Sequence, residues 1–137
     1  MPYPVLSFSN PSYAAVPAGT QRVSLRISAP YPVQANAGVG AFRKPIGATS
    51  WTSLTSGGID NSSATTTPDD FELKVDPGYE YAFTFKGAAM AVTPGANVVE
   101  ASFELLADNG TVLHSLGSPQ RANGAAAGIV GTAYFRT

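Results

Sequence analysis

The stretch from Phe71 to Lys86, FELKVDPGYEYAFTFK, constrains the fold more than any other part of the chain. Phe71, Leu73 and Val75 alternate with Glu72 and Lys74, and Tyr79, Tyr81, Phe83 and Phe85 alternate with Glu80, Ala82, Thr84 and Lys86. A period of two puts every second side chain on one face of a strand, so each run is read as a strand with one buried face. Between them, Asp76-Pro77-Gly78 combines a fixed φ at proline with a glycine free to take positive φ, which favours a sharp reversal. The expectation is a hairpin, its two strands adjacent in an antiparallel sheet. Its ring-bearing face cannot stay in water, and one hairpin has nothing to cover it with; a second sheet has to pack there. Phe83 and Phe85 mark that face as interior, with the tyrosine hydroxyls near its rim.

The remaining strands follow from the same period. In Gln21 to Ser28, Val23, Leu25 and Ile27 point inward against Arg22, Ser24, Arg26 and Ser28. The two arginines share a solvent face, where they are either simply solvated or available to an acidic partner. Pro30 and Pro32 end that strand, and Val39–Arg43 and Trp51–Leu54 suggest two short strands separated by Lys44-Pro45-Ile46-Gly47. Ser56 to Asp70 is small, polar and almost without anchors, the signature of a long loop. Its acids, Asp60, Asp69 and Asp70, lack the spacing of an EF-hand loop. Gly87 to Asn97 reads as a crossing between sheets. Val99, Ala101, Phe103 and Leu105 then alternate with polar residues, and Asp108-Asn109-Gly110 turns the chain into Thr111–Leu116, a strong hairpin signal. Gly117–Gly124 reads as a polar loop and Ala125–Arg136 as a final strand rich in small residues. No segment carries an apolar stripe of helical period. The fold class is all-β: an antiparallel sandwich of about eight or nine strands, jelly-roll or immunoglobulin-like.

The first 19 residues hold Pro2, Pro4, Pro11 and Pro17, each of which removes a backbone donor and resists helix. They are read as an extended arm ahead of a sandwich domain at 20–137. Its apolar piece around Val5, Leu6 and Phe8 either packs on its own domain as a first strand or docks on a neighbouring chain. On the docking reading, Pro4, Val5, Leu6, Phe8 and Tyr13 contact the partner, and removing residues 1–17 leaves a folded core. The small residues of Gly124–Gly131 then let protomers approach closely. Trp51, alone among serines and threonines, is the remaining partner-binding candidate, an exposed ring near the Ser56–Asp70 loop.

No chemistry-bearing motif is found. With no cysteine there is neither disulfide nor thiolate, so stability rests on packing and hydrogen bonds. With one histidine, His114, and no cysteine, a zinc site would have to be built mainly of carboxylates, against the usual ligand chemistry, and His114 is expected to be a strand-face residue with an ordinary hydrogen bond. No GxSxG turn offers a nucleophile and no glycine-rich loop offers a phosphate cradle. The strand carboxylates fall on the polar alternate positions, where solubility explains them. No catalytic residue, cofactor or metal is expected, and an enzyme is not the reading. Charged residues are only 12% and the net charge is −1, with no basic cluster for nucleic acid. The longest small-apolar run, Ala125–Val130, is too short to span a bilayer, so a soluble protein without a membrane partner is expected.

The proline-rich start PYPVLSFSNPSYAAVP, the central FELKVDPGYEYAFTFK and the late ASFELLADNGTVLHS, on a neutral surface, together resemble the small all-β accessory proteins of tailed-bacteriophage particles, of the decoration or cement type. The resemblance implies a non-catalytic structural protein on the capsid exterior. It would bind the major capsid protein or another virion protein, often as a homotrimer, and reinforce the lattice. A carbohydrate-binding or adhesion module of a secreted or tail-fibre protein, using Trp51, is the alternative.

Overall fold

The structure, a computed structural model, describes residues 4–29, 33–61, 69–93, 95 and 97–137. These form nine strands: β1 (Val5–Ala15), β2 (Arg22–Ser28), β3 (Val33–Pro45), β4 (Thr52–Asn61), β5 (Asp69–Lys74), β6 (Tyr79–Ala91), β7 (Val98–Ala107), β8 (Val112–Asn123) and β9 (Ala126–Arg136). They make a five-stranded sheet in the order β1-β9-β6-β3-β4 and a four-stranded sheet in the order β5-β2-β7-β8. Every neighbouring pair is antiparallel except β1 and β9, which run parallel. Among the described residues no helix is long and apolar enough to cross a membrane.

The two sheets exclude water between ring-bearing faces. Tyr81, Phe83 and Phe85 of β6 are buried, as the alternation requires, and so are Val23, Leu25 and Ile27 of β2 and Val99, Phe103 and Leu105 of β7. Rings cross the gap: Phe85 stacks on Phe103 at 4.4 Å between centroids, and Phe8 meets Phe103 edge-on at 4.8 Å. Such pairs contribute beyond the area they remove from water.

The expected hairpin between β5 and β6 is not formed. β5 pairs with β2 in the smaller sheet, and β6 lies between β3 and β9 in the larger one. Alternation settles which face is buried but not which strand supplies the hydrogen bonds; here Phe71 and Phe83 meet at 5.8 Å as an edge-to-face pair between layers rather than side by side. Gly78, at φ 87°, turns the corner from one layer to the other. The corner is pinned from within. The Asp76 N–H donates to the Tyr81 hydroxyl at 2.8 Å, and the Thr137 hydroxyl donates to the Asp76 carbonyl at 2.8 Å.

The N-terminal arm is likewise corrected. Residues 5–15 form the edge strand of the larger sheet, paired with β9 from Val5↔Gly128 to Ala15↔Arg136, with an irregularity between Asn10 and Tyr13. That break accommodates Pro11, which has no N–H to give to a ladder. Leu6 and Phe8 are 2% and 0% exposed, so they belong to this chain's own core and are not free to bind a partner. Removing residues 1–17 would strip that core. The small residues near the C-terminus have an internal use too: a side chain at Gly131 would collide with the Phe8 carbonyl and the Phe85 ring.

Two loops are shorter than expected. Ser56–Asn61 belongs to β4 and Asp69–Asp70 to β5, and the rest of that loop, 62–68, lies outside the described residues, as do Pro30 and Pro32. Residues 117–123 fall in β8, whose Pro119 is tolerated because β8 is an edge strand. The β7–β8 hairpin forms as the Asn-Gly signal implies, with Gly110 at φ 84°.

Phe8→Ala is expected to lower the unfolding free energy by about 3–5 kcal/mol, as for other buried rings. Urea denaturation checks it. A midpoint equal to that of the wild type would restore the detachable arm.

Candidate binding surface

The outer face of the five-stranded sheet is built from the residues that the buried alternation turns away from the core. Ala82 of β6 stands opposite Phe42 of β3 on one side and Tyr134 of β9 on the other, and Tyr134 stands opposite Tyr13 of β1. One row therefore crosses four strands. The next row is charged: Glu80 lies between Lys44 and Arg136. Trp51, just before β4, reaches over this face, its ring 6.2 Å from that of Tyr134, which is in turn 5.4 Å from Tyr13. Phe42, Trp51 and Tyr134 wall a shallow groove of about 250 Å³ floored by Ala82 and Thr84. Trp51 is 37% exposed there.

The charged row holds the rings in place. Glu80, 7% exposed, accepts from Arg136 Nη2 at 3.0 Å and lies 3.5 Å from Lys44 Nζ. Lys44 Nζ sits 4.9 Å from the Trp51 ring centroid, and the Arg136 guanidinium carbon 4.9 Å from that of Tyr13, each within cation–π range. Burial alone would push the Glu80 carboxyl up. Hydrogen bonds from Tyr13 and Arg136, with the charges of Lys44 and Arg136, outweigh it and hold the group below the usual range. The Tyr13 phenol is pushed up, first by burial and then by its hydrogen bond to Glu80. The acid, both cations and Tyr13 thus form one network under the rings.

Two of the sequence-predicted residues, Tyr13 and Trp51, come together on this surface through Tyr134. Pro4 and Val5 are exposed at the opposite end of β1, and Leu6 and Phe8 are interior. Sequence reasoning passed over Phe42, Lys44, Glu80, Tyr134 and Arg136. Their signal is the outward half of the alternation, but the register that aligns them depends on long-range pairing. Arg22 and Arg26 project from the solvent face of β2, each paired with an acid of β5. Arg22 pairs with Glu72 at 3.1 Å, and Arg26 grips Asp70 with two nitrogens at 2.7 and 3.0 Å, so β5 cancels the charge of β2. His114 lacks the expected bond at one nitrogen: Nε2 is buried with no hydrogen-bond partner among the described residues. Among the described residues no group of three or more His, Cys, Asp or Glu side chains converges to hold a metal ion. Comparison with protein-family models, curated proteins and solved structures gives no match.

Because Glu80 ionises more readily folded than unfolded, its charge stabilises the fold above about pH 4.3, the ordinary glutamate value, and that contribution is lost as pH falls through the lower native value. Glu80→Gln is therefore expected to melt below the wild type at pH 7, with the gap closing toward pH 3. A gap that stays constant over that range would show that the network does not depend on the carboxylate charge.

Proposed function

We propose that this chain is a non-catalytic binding protein that takes carbohydrate on the outer face of its five-stranded sheet, as an adhesion module of a secreted or tail-fibre protein would. The observation that carries the reading is the groove walled by Phe42, Trp51 and Tyr134 over a floor of Ala82 and Thr84. A pyranose offers an apolar face of C–H groups and a rim of hydroxyls; rings suit the first, and the Thr84 hydroxyl and groove edges suit the second. Trp51, beside Lys44, and Tyr134, between Trp51 and Tyr13, are already packed against neighbours and lose little freedom on binding. Glu80, bonded to Tyr13 and Arg136 and close to Lys44, is committed to that network, which favours holding a sugar over cleaving it. The parallel pairing of β1 with β9 and the Tyr81 hydroxyl anchored at the β5–β6 corner favour an immunoglobulin-like sandwich over a jelly roll.

A second reading has its own support. Val5, Val130 and Met90 are exposed on the same outer face, at the end away from the rings, with the Val5 side chain over Gly128. An apolar patch of this kind suits docking on another protein, as in a phage decoration or cement protein bound to the major capsid protein or another virion protein and assembled as a homotrimer. Of the N-terminal residues, Pro4 and Val5 would then make the contact. Light scattering after size exclusion and cosedimentation with capsids test it; a monomer that stays in the supernatant overturns it.

For the carbohydrate reading, Trp51→Ala is expected to weaken glycan binding by about tenfold or more, the change that corresponds to roughly 1.4 kcal/mol. Its far-ultraviolet circular dichroism should match the wild type. Glycan-array binding that Trp51→Ala leaves intact would overturn the site.

A further inference from the structure

We infer that the ligand is a stretch of linear, acidic polysaccharide, laid along β6 from the ring-walled groove to Lys86. This rests on the carbohydrate reading and names the class of sugar chain. A second groove of about 310 Å³, lined by Gly38, Gly40, Thr84, Lys86, Gly131 and Thr132 among others, runs on from the first, with Thr84 lining both. Its length follows from the strand: Ala82 to Lys86 is about 13 Å at the rise of an antiparallel strand. That is too long for a single sugar ring; on the β3 side the Phe42 ring folds back over Gly40, and beyond it Gly38 leaves the strip open toward Lys86. A shallow track open along its length accepts a chain that continues past both ends.

The charge comes from Lys86. The chain has eight Lys and Arg residues. Arg22, Arg26, Arg43, Lys44, Arg121 and Arg136 each lie against an acid. Of the other two, Lys74 lies on β5 of the smaller sheet, opposite Arg22, and only Lys86 stands on this face; it forms no ion pair with a described residue, and its cross-strand partners are Gly38 and Val130, neither of them charged. It stands at the far end of a track whose other lining residues are uncharged, and Lys44 and Arg136, in the row beyond the near end, are already bound to Glu80. A carboxylate on a sugar bound two or three rings from the Trp51 platform meets that ammonium group.

The test is an array of linear oligosaccharides, from monosaccharides to chains longer than the groove, in uronate-containing and neutral versions, read with the full chain and three variants. The wild type is expected to bind more tightly as chain length grows until the track is filled, and to prefer the acidic version at each length beyond it. Lys86→Ala should lose that preference, by about two- to fivefold as for one exposed ion contact, and keep neutral binding. Gly38→Leu fills the far track, where a Cβ meets nothing closer than the Lys86 carbonyl at 3.8 Å, and should keep binding of short sugars while losing the gain with length. Its melting temperature verifies that it folds. Binding that is sensitive to Trp51→Ala but independent of length, or equal for acidic and neutral chains, overturns the inference and leaves the carbohydrate reading standing. No glycan binding sensitive to Trp51→Ala overturns both.

Discussion

Water is kept out of the gap between the sheets by rings drawn from β1, β6 and β7, and the other features follow from that exclusion. Phe85 lies 4.4 Å from Phe103 and 6.2 Å from Phe8, so one cluster ties the N-terminal strand and the centre of the large sheet to the opposite layer. Gly131 makes the arrangement possible, because any side chain there would occupy the space of Phe85 and the Phe8 backbone. With no cysteine in the chain, packing of this kind and the hydrogen-bond ladders carry the stability.

Once the inner face is settled, the outer face has no freedom left. A strand that turns Phe83 and Phe85 inward turns Ala82 and Thr84 outward, and slipping the register by one residue would turn Thr84 and Lys86 into the core instead. The pairing with β3 and β9 then decides that Ala82 stands between Phe42 and Tyr134. The candidate binding surface is a by-product of core packing in this sense. Its concavity comes from Ala82 being small where its lateral neighbours are aromatic.

Glu80 links the enclosed charges of the larger sheet to the rings on its outer face. A carboxylate this enclosed is costly unless paired and hydrogen-bonded, and here Arg136, Lys44 and Tyr13 satisfy it. Two of those partners, Lys44 and Arg136, in turn sit against Trp51 and Tyr13, so the pairing of one acid places a cation beside each ring. That coupling is what separates this patch from the scattered aromatic side chains any protein surface carries.

How much of this was legible follows from the range of each signal. The all-β class, the buried faces of β2, β6 and β7, and the Asn109-Gly110 hairpin are local: periods of two and turn residues act over a few positions, so the chain itself determines them. Trp51 as an exposed ring was readable for the same reason, from its polar surroundings. Which sheet each strand joins was not, because Asp76-Pro77-Gly78 serves a hairpin and an inter-sheet corner equally well. Whether the proline-rich start docks elsewhere or completes its own core, and whether Tyr13, Phe42 and Tyr134 ever meet Trp51, turn on pairing between residues distant in the chain, such as Tyr13 with Tyr134 and Phe42 with Ala82. Only the tertiary structure decided these, because hydrogen bonds and ring contacts across the sheets choose among partners that local sequence leaves equivalent.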